Sequence, residues 1–334
     1  MQLDQLGRRE FMALLGGAAA WPQTLLAQTP RQRPLVGVLL YGPLQNFRAF
    51  PAWAALLEGM RERGQIEGRT FDLVLRSADG RPERSPQAAA ELVALTPDVI
   101  VAPATLEAVA VKNATTTIPI VVPILADPVG LGLIESEARP GGNVTGIAPY
   151  VKGLPAKQLE LAREIVPQAR RIGLLHDEND PKAHPQRREI EAAGKALEVE
   201  IATAALRTPD EIGPAFQAWA SRSVEVVIVE QSNMLFVHGR KLIAEAAAAT
   251  TMPTVYGYRE HVVAGGLISY GINIVWCYHR AAYYVDRILK GERVGDLPVE
   301  FPTRIEMVIN LKTAKMLGLT ISPTLLARAD EVIE

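Results

Sequence analysis

From residue 35 onward, short runs rich in Val, Ile and Leu alternate with helix-length amphipathic stretches, and few architectures accept that alternation. The first run is 35–40. A helix is expected over 51–63, where Trp53, Leu56, Leu57 and Met60 fall at i, i+3, i+4 and i+7 as one buried stripe that Gly64 stops. Strands are expected at 71–75, 98–102 and 118–125, with helices at 86–95 and 105–114. The last two of these strands are largely apolar throughout, as in a sheet covered on both faces. The rhythm then repeats, with helices at 156–165, 185–197, 209–222, 236–249 and 274–289. Strands at 171–175, 199–202, 224–230, 254–256, 266–269 and 304–309 accompany them, and the tail reads as partly helical. Strands joined through helices of this length form βαβ units and parallel sheets, hence an α/β fold. More than ten strands can close a barrel or build two sheets. The break at Pro140-Gly141-Gly142-Asn143, near the middle, favours two Rossmann-like, doubly wound lobes.

The N-terminus carries Arg8-Arg9, then Glu10-Phe11 and an uncharged stretch rich in Ala, Leu and Gly over 12–28. Its strongly apolar part is shorter than the ~20 residues of a membrane-spanning helix. This is the layout of a cleavable twin-arginine export signal at 1–27, cut near Ala27, with a disordered arm as the other reading. No Cys follows it, so no lipid anchor is expected, and the periplasm is the expected location of a chain not embedded in the membrane. The roughly 300 remaining residues suit two domains of ~150. Net charge is −2 with basic residues scattered, which argues against nucleic acid as a partner. Cys277 is the single cysteine, so neither an intrachain disulfide nor a cysteine zinc cluster is available. No metal or cofactor is expected.

Ligands of open parallel sheets bind beyond the C-terminal ends of the strands. That rule selects Tyr41, Pro103-Ala104-Thr105 and Ala126-Asp127-Pro128 in the first half. In the second half it selects His176-Asp177-Glu178-Asn179, Gln231-Ser232-Asn233, Tyr256-Gly257-Tyr258 and Tyr270. Tyrosines, amides, hydroxyls and a few carboxylates suit recognition of a small solute. Thr105 could cap its helix or hold a ligand carboxylate at the helix N-terminus, and Asp127 could pair with a ligand ammonium or shape a turn before Pro128. His176 reads as a strand-end surface residue. Catalytic signatures fail: Gly130-Leu131-Gly132 has no third glycine, and no phosphate loop, HExxH or nucleophile elbow occurs. Cys277 falls in a helix as a packed thiol. Asn143-Val144-Thr145 matches a glycosylation acceptor, a tripeptide that often occurs by chance.

Over nearly all of the chain beyond the signal, the residues resemble the TrpX-type ABC transporter substrate-binding proteins. The resemblance rests on Ile118-Pro119-Ile120-Val121, Asp127-Pro128-Val129-Gly130 and 138–146, then Tyr256-Gly257-Tyr258-Arg259-Glu260 and 265–271. Pro298-Val299-Glu300, 309–314 and 325–331 complete it. After Glu230 the chain has Gln231-Ser232-Asn233 where many relatives carry an acidic residue. The resemblance implies the type I periplasmic binding protein fold, a hinge of about three crossings, and capture without catalysis of an amino acid or similar aromatic or amphipathic solute. It further implies permease subunits as partners, and a monomer suits docking on them. The crossings are expected near 146–150, 256–260 and 298–304, which puts 35–146 plus 257–298 in the first lobe and 147–256 plus 299–334 in the second. A sensory module for a membrane receptor, or a two-lobed sugar-nucleotide transferase, are the other classes. Tyr270→Ala is expected to weaken binding at least tenfold, on the order of 1.4 kcal/mol.

Overall fold

A computed structural model describes residues 32–149, 151–180, 183–232 and 234–334. The expected export signal at 1–27, Tyr150 and Asn233 lie outside the described residues.

The first lobe is built on β1 (Leu35–Leu40), β2 (Asp72–Ser77), β3 (Val99–Val101), β4 (Ile120–Val122) and β5 (Val144–Gly146). Its sheet runs β2-β1-β3-β4-β5, parallel throughout, with Val36 beside both Leu73 and Val99. Helices α1 (Pro51–Glu62), α2 (Ser85–Val93) and α3 (Thr105–Ala114) connect the strands. Every residue of β3, β4 and β5 is buried, as strands covered on both faces must be. Each fully buried Val or Ile contributes about 1.5–3 kcal/mol relative to exposure.

The second lobe contains α4 (Leu154–Ile165), β6 (Arg171–Asp177), α5 (Ala183–Ala196), β7 (Glu200–Leu206), α6 (Ile212–Ser221) and β8 (Val226–Val229). A π-helical turn, Leu235–Gly239, leads into α7 (Arg240–Thr250), followed by β9 (Thr254–Tyr256), α8 (Arg259–Val263) and β10 (Ile268–Ile272). The chain then returns to the first lobe for α9 (Ile274–Leu289), which packs along α1. It re-enters the second lobe as β11 (Ile305–Asn310), α10 (Leu311–Met316), α11 (Pro323–Ala327) and β12 (Glu331–Ile333). The second sheet runs β12-β11-β10-β9-β8-β6-β7, and only the β10–β11 pair is antiparallel. That reversal follows from the excursion through α9, because β11 enters the sheet from the other lobe.

Two glycines set close approaches. A Cβ on Gly59 would stand 2.6 Å from the His279 carbonyl oxygen, so only glycine lets α1 meet α9 this closely. A Cβ on Gly271 would lie 1.9 Å from the Gly257 carbonyl oxygen, so the ends of β9 and β10 can approach only without side chains.

Several expectations need correction. β5 lies just past the glycine break, and β5, α8 and β12 are three, five and three residues long, too short to register as periodic signals. The strand Ile268–Ile272, expected in the first lobe, is hydrogen-bonded between β9 and β11 in the second. The middle passage between lobes therefore lies at Asn273, whose side chain caps α9 by accepting from the Trp276 N–H, and not at 256–260. Asn143 is no surface acceptor: it is buried, donates to the carbonyls of Thr115 and Ile118, and accepts from Lys112 Nζ at 2.7 Å. Cys277, by contrast, is the packed helical thiol expected: it is buried in α9, and burial pushes its thiol up, away from a reactive thiolate.

Candidate functional site

A cavity of about 180 Å³ lies between the lobes, beyond the C-terminal ends of β1, β3, β4, β8 and β9. For scale, a dry engineered cavity of ~150 Å³ accepts a benzene molecule. Tyr41, Phe47, Phe50 and Trp53 supply the first-lobe wall, and Tyr278 joins them from α9. Phe47 and Phe50 come from the turn after β1, while Trp53 sits in the first turn of α1, which starts at Pro51 with its fixed φ suited to that position. The rings hold each other: Trp53 meets Phe47 at 4.9 Å and Tyr278 edge-on at 4.9 Å between centroids.

The second-lobe wall is Ser232, Phe236, Val237, Arg240 and Tyr258. The π-helical turn sets Phe236, Val237 and Arg240 against the cavity; such turns often occur at functional sites. Ser232 Oγ accepts from the Leu235 N–H at 3.1 Å and so anchors the turn. Phe236 reaches across to Phe50, 5.7 Å between centroids, and packs on Tyr258 at 5.3 Å. Behind them His261 stacks on Tyr256 at 4.8 Å. Burial pushes His261 down to about 3, so this ring is neutral and acts as an aromatic support. Next to the cavity, His238 packs on Tyr41 at 5.4 Å, joining the lobes, and burial lowers its pKa below the ordinary imidazole value.

Arg240 is the only charged side chain lining the cavity among the described residues. Its guanidinium lies 4.9 Å over the Phe236 ring, and burial lowers its pKa, with Glu260 opposing the shift from a distance. Tyr41 is pushed up to about 12, mainly by burial and then by the field of Glu107, Asp177 and Glu83. Burial also raises Tyr258 and Tyr278. All three phenols are therefore neutral donors at physiological pH.

Of the residues expected from strand ends, Tyr41, Ser232 and Tyr258 meet at this cavity. The others are elsewhere. Thr105 neither caps α3, since Ala104 holds that position, nor lines the cavity: its buried hydroxyl accepts from the Ala126 N–H at 2.7 Å. Asp127 is exposed at φ 43° and accepts from the Gly130 N–H, which is its turn-shaping role. Glu178 is exposed and pairs with Arg207 at 2.8 Å, and Asn179 is exposed beside it. His176 is buried, not a surface residue. Tyr256 is interior to the second lobe, and Tyr270 packs on the core of that lobe beside α4. The strand-end rule did not select the lining residues Phe47, Phe50, Trp53, Phe236, Arg240 and Tyr278. Only the spacing of Phe236 and Arg240, i and i+4 just after a strand end, could have flagged them.

The sequence profile of the ABC transporter substrate binding proteins matches residues 51–333. The chain is 26% identical over 263 residues to a tyrosine-binding protein of Clostridioides difficile, covering 79% of this chain and 75% of that one. It is similar to the crystal structure of a conserved domain protein from Vibrio cholerae, at 28% identity and TM-score 0.83, over 90% of this chain and 100% of the other. It also superposes at TM-score 0.83 and 24% identity on an ABC domain from Streptococcus pneumonia in complex with L-Trp, with the same coverage. These likenesses show the fold as two doubly wound lobes of the type I periplasmic binding arrangement. The chain belongs to the ABC transporter substrate binding protein family and has a solute-binding role.

Proposed function

We propose that this protein captures a small aromatic solute between its lobes in the periplasm, without converting it, and presents it to the permease subunits of an ABC importer. The observation that carries the reading is the cavity itself: among the described residues seven aromatic side chains line a space suited to about one ring, with walls from both lobes. The tyrosine-binding relative and the L-Trp complex agree with an aromatic ligand. The first lobe comprises 35–147 plus α9, the second 151–272 plus 305–334, and 298–304 crosses between them. Rotation about the three crossings opens and shuts the cavity. A solute that touches both walls has its affinity only in the shut state and so favours it. A monomer carries a complete site, and export follows the twin-arginine signal. Tyr41, Ser232 and Tyr258 from the strand ends, joined by Phe47, Phe50, Trp53, Phe236, Tyr278 and Arg240, are the contacts.

The test is a thermal-shift screen of the purified protein against aromatic compounds, aliphatic amino acids, sugars and nucleosides. A solute at 100 times its Kd adds about 2.7 kcal/mol of stability, a readily visible shift. Stabilisation by ring-bearing compounds, recovered unchanged, supports the reading. Stabilisation by sugars alone, or recovery of an altered compound, overturns it.

A further inference from the structure

Arg240 stands at the start of α7, immediately after the π-helical turn, with its guanidinium held over Phe236 at the cavity wall. It makes no ion pair or hydrogen bond within the protein among the described residues, so its donors are available to a solute. The cavity lining contains no carboxylate among those residues. Glu107, Asp177 and Asp180 are outside the lining, their charges act on Tyr41 and Tyr258, and each already has a partner. The remaining polar groups of the wall are neutral hydroxyls, which serve an anion equally well as donors.

We propose that the solute is an aromatic monocarboxylate whose anionic group is held by Arg240, and that an ammonium group contributes nothing to its recognition. A guanidinium presents a planar fork of donors that matches a carboxylate through two parallel hydrogen bonds. Taking this cation partly out of water next to apolar rings is costly, and an incoming carboxylate restores its solvation. An ammonium would meet the field of Arg240 without a carboxylate in the wall to offset it. The aromatic rings select a planar apolar body and disfavour phosphate or sulfate alone. This rests on the reading of the cavity as an aromatic-solute site and adds the charge of the solute to it.

The experiment is isothermal titration of the purified protein with four matched probes: 3-phenylpropanoate, L-phenylalanine, 3-phenylpropan-1-ol and 2-phenylethylamine. The expected order places 3-phenylpropanoate first, L-phenylalanine no tighter, the alcohol at least tenfold weaker, and the amine weakest. Arg240→Met weakens the carboxylate on the order of 100-fold while leaving the alcohol nearly unchanged, and Arg240→Lys restores part of the loss. Melting of the solute-free variants verifies that they are folded. The alcohol binding as tightly as the carboxylate, or Arg240→Met retaining the carboxylate, overturns the proposal and leaves the aromatic reading in place. L-phenylalanine binding tenfold tighter than 3-phenylpropanoate overturns it in favour of an ammonium-reading site. If no ring compound binds, both the proposal and the aromatic reading fall.

Discussion

The two walls of the cavity are built differently. On the first-lobe side Phe47, Phe50, Trp53 and Tyr278 lean on one another, and Phe47, Trp53 and Tyr278 belong to the same hydrophobic core that fills the space under α1 and α9. That wall exists whether or not the cleft is shut, because it is made of the lobe's own core. On the second-lobe side the wall is Ser232, a π-helical turn and the start of α7 with its charge, and Phe236 and Tyr258 are its only rings among the described residues. Those two rings pack into the first lobe's core, not into the second lobe's own clusters. Beyond each other and His261, their apolar partners therefore come from the first lobe. One wall offers area to any ring, and the other tests charge and reports closure. The division separates stability from selectivity, which mutations can check.

The largest effect belongs to the first wall. Trp53→Ala removes a ring only 4% exposed, and its cost should be about 3–5 kcal/mol in urea unfolding of the solute-free protein. Full retention of stability would show that this wall is not part of the core. Phe236→Ala should sharpen the contrast, with a smaller change in solute-free stability and an affinity loss on the order of 10- to 100-fold. A stability loss matching that of Trp53→Ala, with affinity unchanged, would make the two walls alike.

A pH effect follows from the contact between His238 and Tyr41. Burial lowers the His238 pKa in the shut state, so the neutral ring favours closure. The sign is that closure is fully supported above the ordinary imidazole value of about 6.5 and weakens as pH falls below it. Titrations from pH 8 to pH 5 should show a several-fold fall in affinity that His238→Gln removes. An affinity that rises toward acid would contradict the assignment. The smallest effect is expected at Tyr270. Its replacement by alanine should leave Kd unchanged, because the side chain packs on the core of the second lobe. A tenfold weakening, the outcome its strand-end position alone implies, would return it to the site.

Most of the fold is legible in the pattern of residues. Helices at 105–114 and 274–289 and the strand at 254–256 have the ends that the pattern predicts. The site is legible only in part. Of the strand-end residues, Tyr41, Ser232 and Tyr258 line the cavity, while Thr105 and Asp127 at equally good positions are engaged in local hydrogen bonds with Ala126 and Gly130. A strand end says where the chain leaves the sheet; the direction of a side chain there depends on the turn that follows.

The alternation of apolar runs and amphipathic stretches by itself determined that this chain would build parallel sheets covered by helices, since backbone pairing and burial leave little else for such a pattern. It also determined that no cysteine framework holds the lobes, as Cys277 has no partner in the sequence. Tertiary structure alone decided that Ile268–Ile272 pairs in the second sheet while the helix after it packs in the first lobe. It alone decided, too, that Phe50 and Phe236, far apart along the chain, meet across one cavity with Arg240 beside them. Local periodicity reports which residues are buried, but which buried faces meet is settled by long-range packing, where shape and the return path of the chain choose the partner.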